Sequence, residues 1–105
     1  MSRIVLPPML VGAVQNIAFD FTSLLAAGET LSTQSATATV YSGTDANPST
    51  LVSGSATASG AVVTQLITLA GKPAGTVYEL LCTATTSAGQ TLKLSAFLAS
   101  VPALP

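Results

Sequence analysis

The chain has 105 residues, 49% of them hydrophobic and 7% charged, with three basic and four acidic side chains, no His, no Trp and a single Cys. One domain with one modest core is the expectation at this length. Three cations cannot form the basic footprint that neutralises phosphates, which argues against a nucleic-acid partner, and one Cys cannot close an internal disulfide.

The N-terminal stretch Ile4 to Val14 is weakly polar but broken by Pro7, Pro8 and Gly12. It falls short of the about 20 apolar residues of a membrane helix. Only Ile4, Val5 and Leu6 separate Arg3 from the double proline, too few for the roughly 7–15 residues of a signal-peptide core. Synthesis in a cytoplasm, without membrane insertion, is the expectation. Ile4-Val5-Leu6-Pro7-Pro8-Met9-Leu10 has two readings: an apolar arm of about residues 1–13 laid on a neighbouring protein, or a first strand covering the domain's own core.

Period-two patterning then dominates. In Gln15 to Phe21, an extended chain places Ile17, Phe19 and Phe21 on one side. One helical turn at most fits Ser23 to Gly28. In Gln34 to Tyr41, Ala36, Ala38 and Val40 alternate with Thr37, Thr39 and Tyr41, a half-buried strand of small residues. Ser42 to Pro48 packs Gly, Asp, Asn and Pro into seven residues and predicts a long exposed loop. Weak edge strands follow at Thr50 to Ser53 and Ser55 to Ser59, interrupted by Gly54.

Ala61 to Leu69 carries no charge, and such a window must be a paired strand or lie under another subunit. After the turn Gly71-Lys72-Pro73-Ala74-Gly75, the strand Thr76 to Thr86 sets Tyr78, Leu80, Cys82 and Ala84 on one face. Ser87-Ala88-Gly89-Gln90 reads as a hairpin loop. Its return strand, Thr91 to Ser100, aligns Leu92, Leu94, Ala96 and Leu98. The tail Ala99 to Pro105 has the same two readings as the N-terminus. Six to seven short strands at this spacing predict an all-β, immunoglobulin-like antiparallel sandwich, as one domain over residues 1–105.

Catalytic chemistry lacks its groups. Asp20, Glu29, Asp45 and Glu79 are scattered and read as solvated face or turn residues. Without His and with one Cys, zinc has no ligand set, and Asp45-Ala46-Asn47 supplies too few oxygens for calcium. Gly71-Lys72 lacks the remainder of a phosphate loop, since Leu66 and Pro73 stand where Gly and Ser or Thr are needed. Cys82 sits among apolar alternation as a core thiol. No catalytic, cofactor or metal site is expected, and the chain reads as a non-enzyme.

The polarity lies instead in 27 Ser and Thr residues, and mean hydropathy is +0.64. Free-standing domains keep a charged surface, because near-neutral ones associate. Much of this surface is therefore expected to be covered by partners. A hydroxyl-rich extracellular stalk would explain the Ser and Thr content, but not the recurring Val, Ile and Leu.

The segment Leu69 to Gly89, with Pro73, Gly75-Thr76-Val77-Tyr78 and the closing Gly, resembles the penultimate strand of fibronectin type III and related Ig-like domains. That resemblance makes Tyr78 a corner tyrosine whose hydroxyl bonds back to nearby backbone. The missing Trp departs from the fibronectin pattern. A broader resemblance rests on Phe19-Asp-Phe-Thr-Ser-Leu-Leu, Gly28-Glu-Thr-Leu, Val40-Tyr-Ser-Gly-Thr-Asp-Ala-Asn-Pro, Val63-Thr-Gln-Leu-Ile, Gly75-x-x-Tyr and Thr86-Ser-Ala-Gly-Gln-Thr-Leu. These resemble the small Ig-like fibre–tail adaptors of tailed bacteriophages. The resemblance implies a multi-copy virion component near the head–tail junction that links neck or tail to fibres or spikes, without catalysis.

Partners are then other virion proteins, of the neck, tail, fibre or capsid. Candidate interface residues are Ile4, Val5, Leu6, Pro7, Pro8, Met9 and Leu10 of the first segment, Asp45, Asn47 and Pro48 of the loop, and Val101, Pro102 and Leu104 of the tail. Two other functions compete with the adaptor. A capsid decoration protein would be present in hundreds of copies rather than about a dozen; a carbohydrate or adhesin module would bind glycans, for which aromatics at 5% leave little stacking surface.

Overall fold

A computed structural model describes residues 3–6 and 8–102. The alternating segments form eight strands: β1 (Arg3–Val5), β2 (Met9–Leu10), β3 (Val14–Asp20), β4 (Leu31–Ser42), β5 (Val52–Ser59), β6 (Val62–Thr68), β7 (Val77–Thr86) and β8 (Thr91–Val101). Among the described residues, helix is limited to short 3-10 turns at Thr22–Leu24 and Pro48–Leu51. One sheet runs β1-β8-β7-β4, with β2 following β1 along the same edge of β8; the other runs β3-β6-β5. The two pack as an Ig-like β-sandwich. Long-range pairs such as β4 with β7 and β3 with β6 are antiparallel, whereas β1 and β2 join β8 in parallel.

The core is where the alternation placed it. Phe19 and Phe21 from β3 and its exit and Ile67 and Val63 from β6 are buried on one sheet, and Tyr78, Leu80, Cys82 and Ala84 from β7, beside Leu94, Ala96 and Leu98 from β8, are buried on the other. Each large apolar side chain withdrawn in this way contributes about 1.5–3 kcal/mol. The uncharged β6 is the central strand of its sheet, so its aggregation-prone window is paired on both sides. Burial pushes the Cys82 thiol up to about 11, leaving it unreactive at neutral pH.

One buried position inverts the hydropathy rule. Gln65 lies on the core face of β6 and is 1% exposed. Its Nε2 donates to the Ser53, Gly54 and Leu66 carbonyls at 2.9, 3.3 and 3.0 Å. The β5 register slips between Ser53 and Thr57, around Gly54, and the amide N–H groups reach the Ser53 and Gly54 carbonyls of this bulge, while the buried Gln65 Oε1 has no hydrogen-bond partner.

The terminal segments belong to the sheet. Of the two readings of the first segment, the structure has the strand: Ile4 pairs with Ala96, Val5 with Phe97, Met9 with Ser100 and Leu10 with Val101. The tail likewise begins later than expected, because Ala99, Ser100 and Val101 complete β8. Pro7 and Leu104 lie outside the described residues. The registers divide the loops between two ends. The turn at Val11–Ala13, the loop at Gly43–Leu51, the turn at Leu69–Thr76 and the close of β8 share one, the loop end. The 21–30 segment, the β5–β6 turn and the 87–90 hairpin share the other, the hairpin end.

Candidate functional site

The loop end is built around a buried charge. Asp45 follows the Gly43 turn, and its Oδ1 accepts the Asn47 N–H at 2.8 Å, the side-chain-to-backbone turn that Asp favours. Its Oδ2 accepts the Tyr78 hydroxyl at 2.8 Å and the Lys72 ammonium at 3.1 Å. Lys72 Nζ also donates to the Asn47 carbonyl at 2.6 Å and to Thr50 Oγ1 at 2.5 Å. The Lys72 and Asp45 side chains are 6% and 8% exposed. Every donor of the ammonium thus has an acceptor, the condition under which a charge is tolerated away from water. The Asn47 N–H, with the Tyr78 hydroxyl and Lys72, holds the Asp45 carboxyl below its ordinary value against the opposing effect of desolvation. Burial, and then Asp45, raise the Tyr78 phenol far above its own.

Neighbouring backbone is fixed to match. Gly43 has φ +97°, and a Cβ there would lie 3.0 Å from both Gly75 O and Thr76 Cα. Ser100 Oγ accepts the Thr76 N–H at 3.1 Å and donates to Pro73 O at 2.8 Å. The loop expected to be exposed is therefore stitched to the β6–β7 turn, and Asp45 is an internal residue rather than a solvated one. Tyr78 differs too: its hydroxyl reaches a carboxylate on the β4–β5 loop instead of nearby backbone. Lys72 had no role in the sequence reading, yet it is the centre of this cluster. Its signal was scarcity: one of three cations, set in a Gly/Pro turn.

Around this rigid base lies exposed apolar surface. Leu10 is 47% exposed, Val14 57% and Tyr41 61%. Leu66, on the outer face of β6, lies diagonally across from Val14, since Val14 pairs with Thr68 and Asn16 with Leu66. Tyr41 packs against Phe97, ring centroids 4.6 Å apart and planes tilted by 45°, on the outer face of the other sheet. Of the expected interface residues, Pro8, Leu10, Asn47 and Pro102 are exposed, Leu6, Pro48 and Val101 are half-buried, and Met9 is in the core. Ile4 and Val5 are backbone partners of β8. Leu10, Asn47 and Pro102 come to the loop end together. Val14 and Tyr41 were not singled out from sequence, because each sits at the end of an alternating run where exposure depends on the turn beyond.

The hairpin end carries an open depression of about 300 Å³, with Ala26, Ala27, Gly28, Ser87, Ala88 and Gln90 around Glu29, and Leu24 nearby is 40% exposed. Glu29 accepts the Thr86 hydroxyl at 2.6 Å and the Ala26 N–H at 3.0 Å, and these two bonds, in that order, lower its carboxyl pKa. Among the described residues no group of three or more His, Cys, Asp or Glu side chains gathers, and no helix is long and apolar enough to cross a membrane.

Neither the curated proteins nor the solved structures gave a match to the chain. The model of the Gp77 family, described as podophage GP4 fiber-tail adaptor protein gp77, matches residues 10–99.

Proposed function

The chain belongs to this family of podophage fibre–tail adaptors and is a non-enzymatic structural protein of a tailed-phage virion, and on that premise we propose that it links the neck or tail to fibres or spikes, in multiple copies, as one Ig-like unit docking through its loop end. The observation that carries the proposal is the family match over nearly the whole chain. The site supports the choice of end. Leu10, Val14 and Tyr41 offer apolar contact on a base locked by Asp45, Lys72 and Tyr78, and a rigid apolar surface loses little entropy on binding. The Lys72–Asp45 pair cancels its own charge, so this end suits a neutral partner surface. The molecule measures 50 × 23 × 22 Å, long enough to present its two ends to different neighbours. Symmetric repetition then multiplies weak contacts.

Quantitative mass spectrometry of purified virions, with electron microscopy of the neck and shell, tests this reading. About a dozen copies beside the portal is the expected result. Hundreds of copies on the shell would replace the adaptor with a decoration protein. Within particles, L10D/V14D is expected to abolish incorporation while the purified variant stays folded. Unchanged incorporation would move the docking surface elsewhere.

A further inference from the structure

The two sheets end in four edges, and three carry features that discourage strand addition. The β1/β2 edge is broken between Val5 and Met9, where Pro8 lies outside both strands. The β5 edge is bent where its register slips at Gly54. The β3 edge is seven residues long and closes on Asp20. By contrast, β4 runs for 12 residues with no charge, no Pro and no Gly, and its irregularities are confined to Leu31/Thr33 and Val40/Ser42. A straight, neutral stretch remains between them.

The unpaired backbone row of that stretch can be assigned. In the hairpin, Thr86 N–H bonds Gln90 O at 2.8 Å. Antiparallel alternation then turns Ala84, Cys82 and Leu80 toward β8, and Thr85, Thr83, Leu81 and Glu79 toward β4. Their β4 partners are Thr33, Ser35, Thr37 and Thr39. The N–H and C=O groups of Gln34, Ala36 and Ala38 consequently face outward, and among the described residues they have no hydrogen-bond partner. Their side chains turn inward: Gln34 and Ala36 are half-buried, Ala38 is buried, and Gln34 Nε2 donates to the Ala56 carbonyl of β5 at 3.3 Å.

We infer that β4 pairs antiparallel with β4 of a second copy of this chain, about a two-fold axis at Ala36. The occupant follows from the sequence of the edge, because Thr33-Gln-Ser-Ala-Thr-Ala-Thr39 is uncharged and a two-fold axis at Ala36 opposes Ser or Thr to Ser or Thr at every outward side-chain position. The axis sets Ala36 opposite Ala36, Gln34 opposite Ala38, Ser35 opposite Thr37 and Thr33 opposite Thr39. The free rows meet in about six hydrogen bonds. Hydroxyl faces hydroxyl on the outer surface, as Thr33 already does with Thr85 within the chain, and no like charges are opposed. A two-fold contact of this kind is self-complementary. It also gives the hydroxyl-rich edge a neutral partner of matching pattern.

Sedimentation equilibrium of the full chain, with amide exchange followed by NMR, tests the pairing independently of where the protein sits in the particle. The expected result is a dimer in which the Gln34, Ala36 and Ala38 amides exchange more slowly as concentration rises. S35K/T37K places like charges across the axis on exposed positions and is expected to weaken the dimer by at least about 100-fold, with the melting temperature of the dilute monomer unchanged. A36P removes an N–H from the free row only and is expected to act in the same direction. A wild-type monomer at about 0.5 mM, a dimer indifferent to S35K/T37K, or those three amides remaining fast in the dimer would each overturn the pairing.

Discussion

At the loop end a carboxylate, an ammonium and a phenol, contributed by a loop, a turn and a strand, are joined where little water reaches them. The hairpin end is fastened nearer the surface: half-buried Glu29 bonds the buried Thr86, and the exposed Thr30 and Ser87 join through the Thr30 N–H to Ser87 Oγ at 3.1 Å and the Ser87 N–H to Thr30 O at 2.8 Å. The protein thus concentrates buried polar bonding where apolar side chains are most exposed, and leaves the opposite end to turn chemistry. A buried network orders a loop strongly because each member left alone would be unsatisfied. Surface bonds exchange with water and fix their loops less tightly.

Breaking the buried cluster should separate the two ends most clearly. K72M leaves Asp45 without its cation and is expected to cost about 3 kcal/mol in urea unfolding. The double variant D45N/K72M should recover part of that loss, and a loss equal to the sum of the two singles would show that the pair is not coupled. E29Q at the hairpin end is expected to cause a clearly smaller fall in midpoint than K72M. Y78F keeps the ring in the core and removes one bond to a charged acceptor, for about 2 kcal/mol.

Backbone substitutions sharpen the same contrast. Gly43 and Gly28 have φ of +97° and +80°, but only at Gly43 does an added Cβ meet other atoms. G28A should lose about 1 kcal/mol and G43A about 2 kcal/mol or more, read from thermal unfolding. Equal losses would mean that the close approach to Gly75 and Thr76 relaxes freely.

Acid titration gives the smallest effect. Asp45 titrates lower folded than unfolded, so its contribution is complete above the unfolded value near 4 and is lost as pH falls through the folded one. The unfolding midpoint should decline below about pH 4, and D45N should flatten that decline. Asp20, lowered by the Thr22 side-chain and backbone bonds, and Glu29 leave a residual slope.

Strand identities were legible because burial here follows period two. The faces of β7 and β8 and the Phe19–Phe21 row are readable from Leu, Ile, Val and aromatic spacing alone. Gln65 was not, since its role comes from a bulge in a different strand. The Asp45–Lys72–Tyr78 cluster escaped for a similar reason: its members lie 27 and 33 residues from Asp45 in sequence, and no local pattern encodes a tertiary ion pair. Proline in the first segment left an arm and a first strand equally open; Pro8 stands between β1 and β2, which lie along one edge of β8. The short halves need no proline N–H in the ladder.

The parallel seam between β1/β2 and β8 has a mechanical consequence. Arg3 lies beside Ser95 and Leu10 beside Val101, so tension applied at the two chain ends acts along the seam in opposite directions. Its hydrogen bonds are loaded together in shear rather than peeled one at a time. Force spectroscopy should therefore find a higher rupture force when the molecule is pulled from its ends than when it is pulled across β7 and β8 from their hairpin, an asymmetry suited to a link that bears axial load.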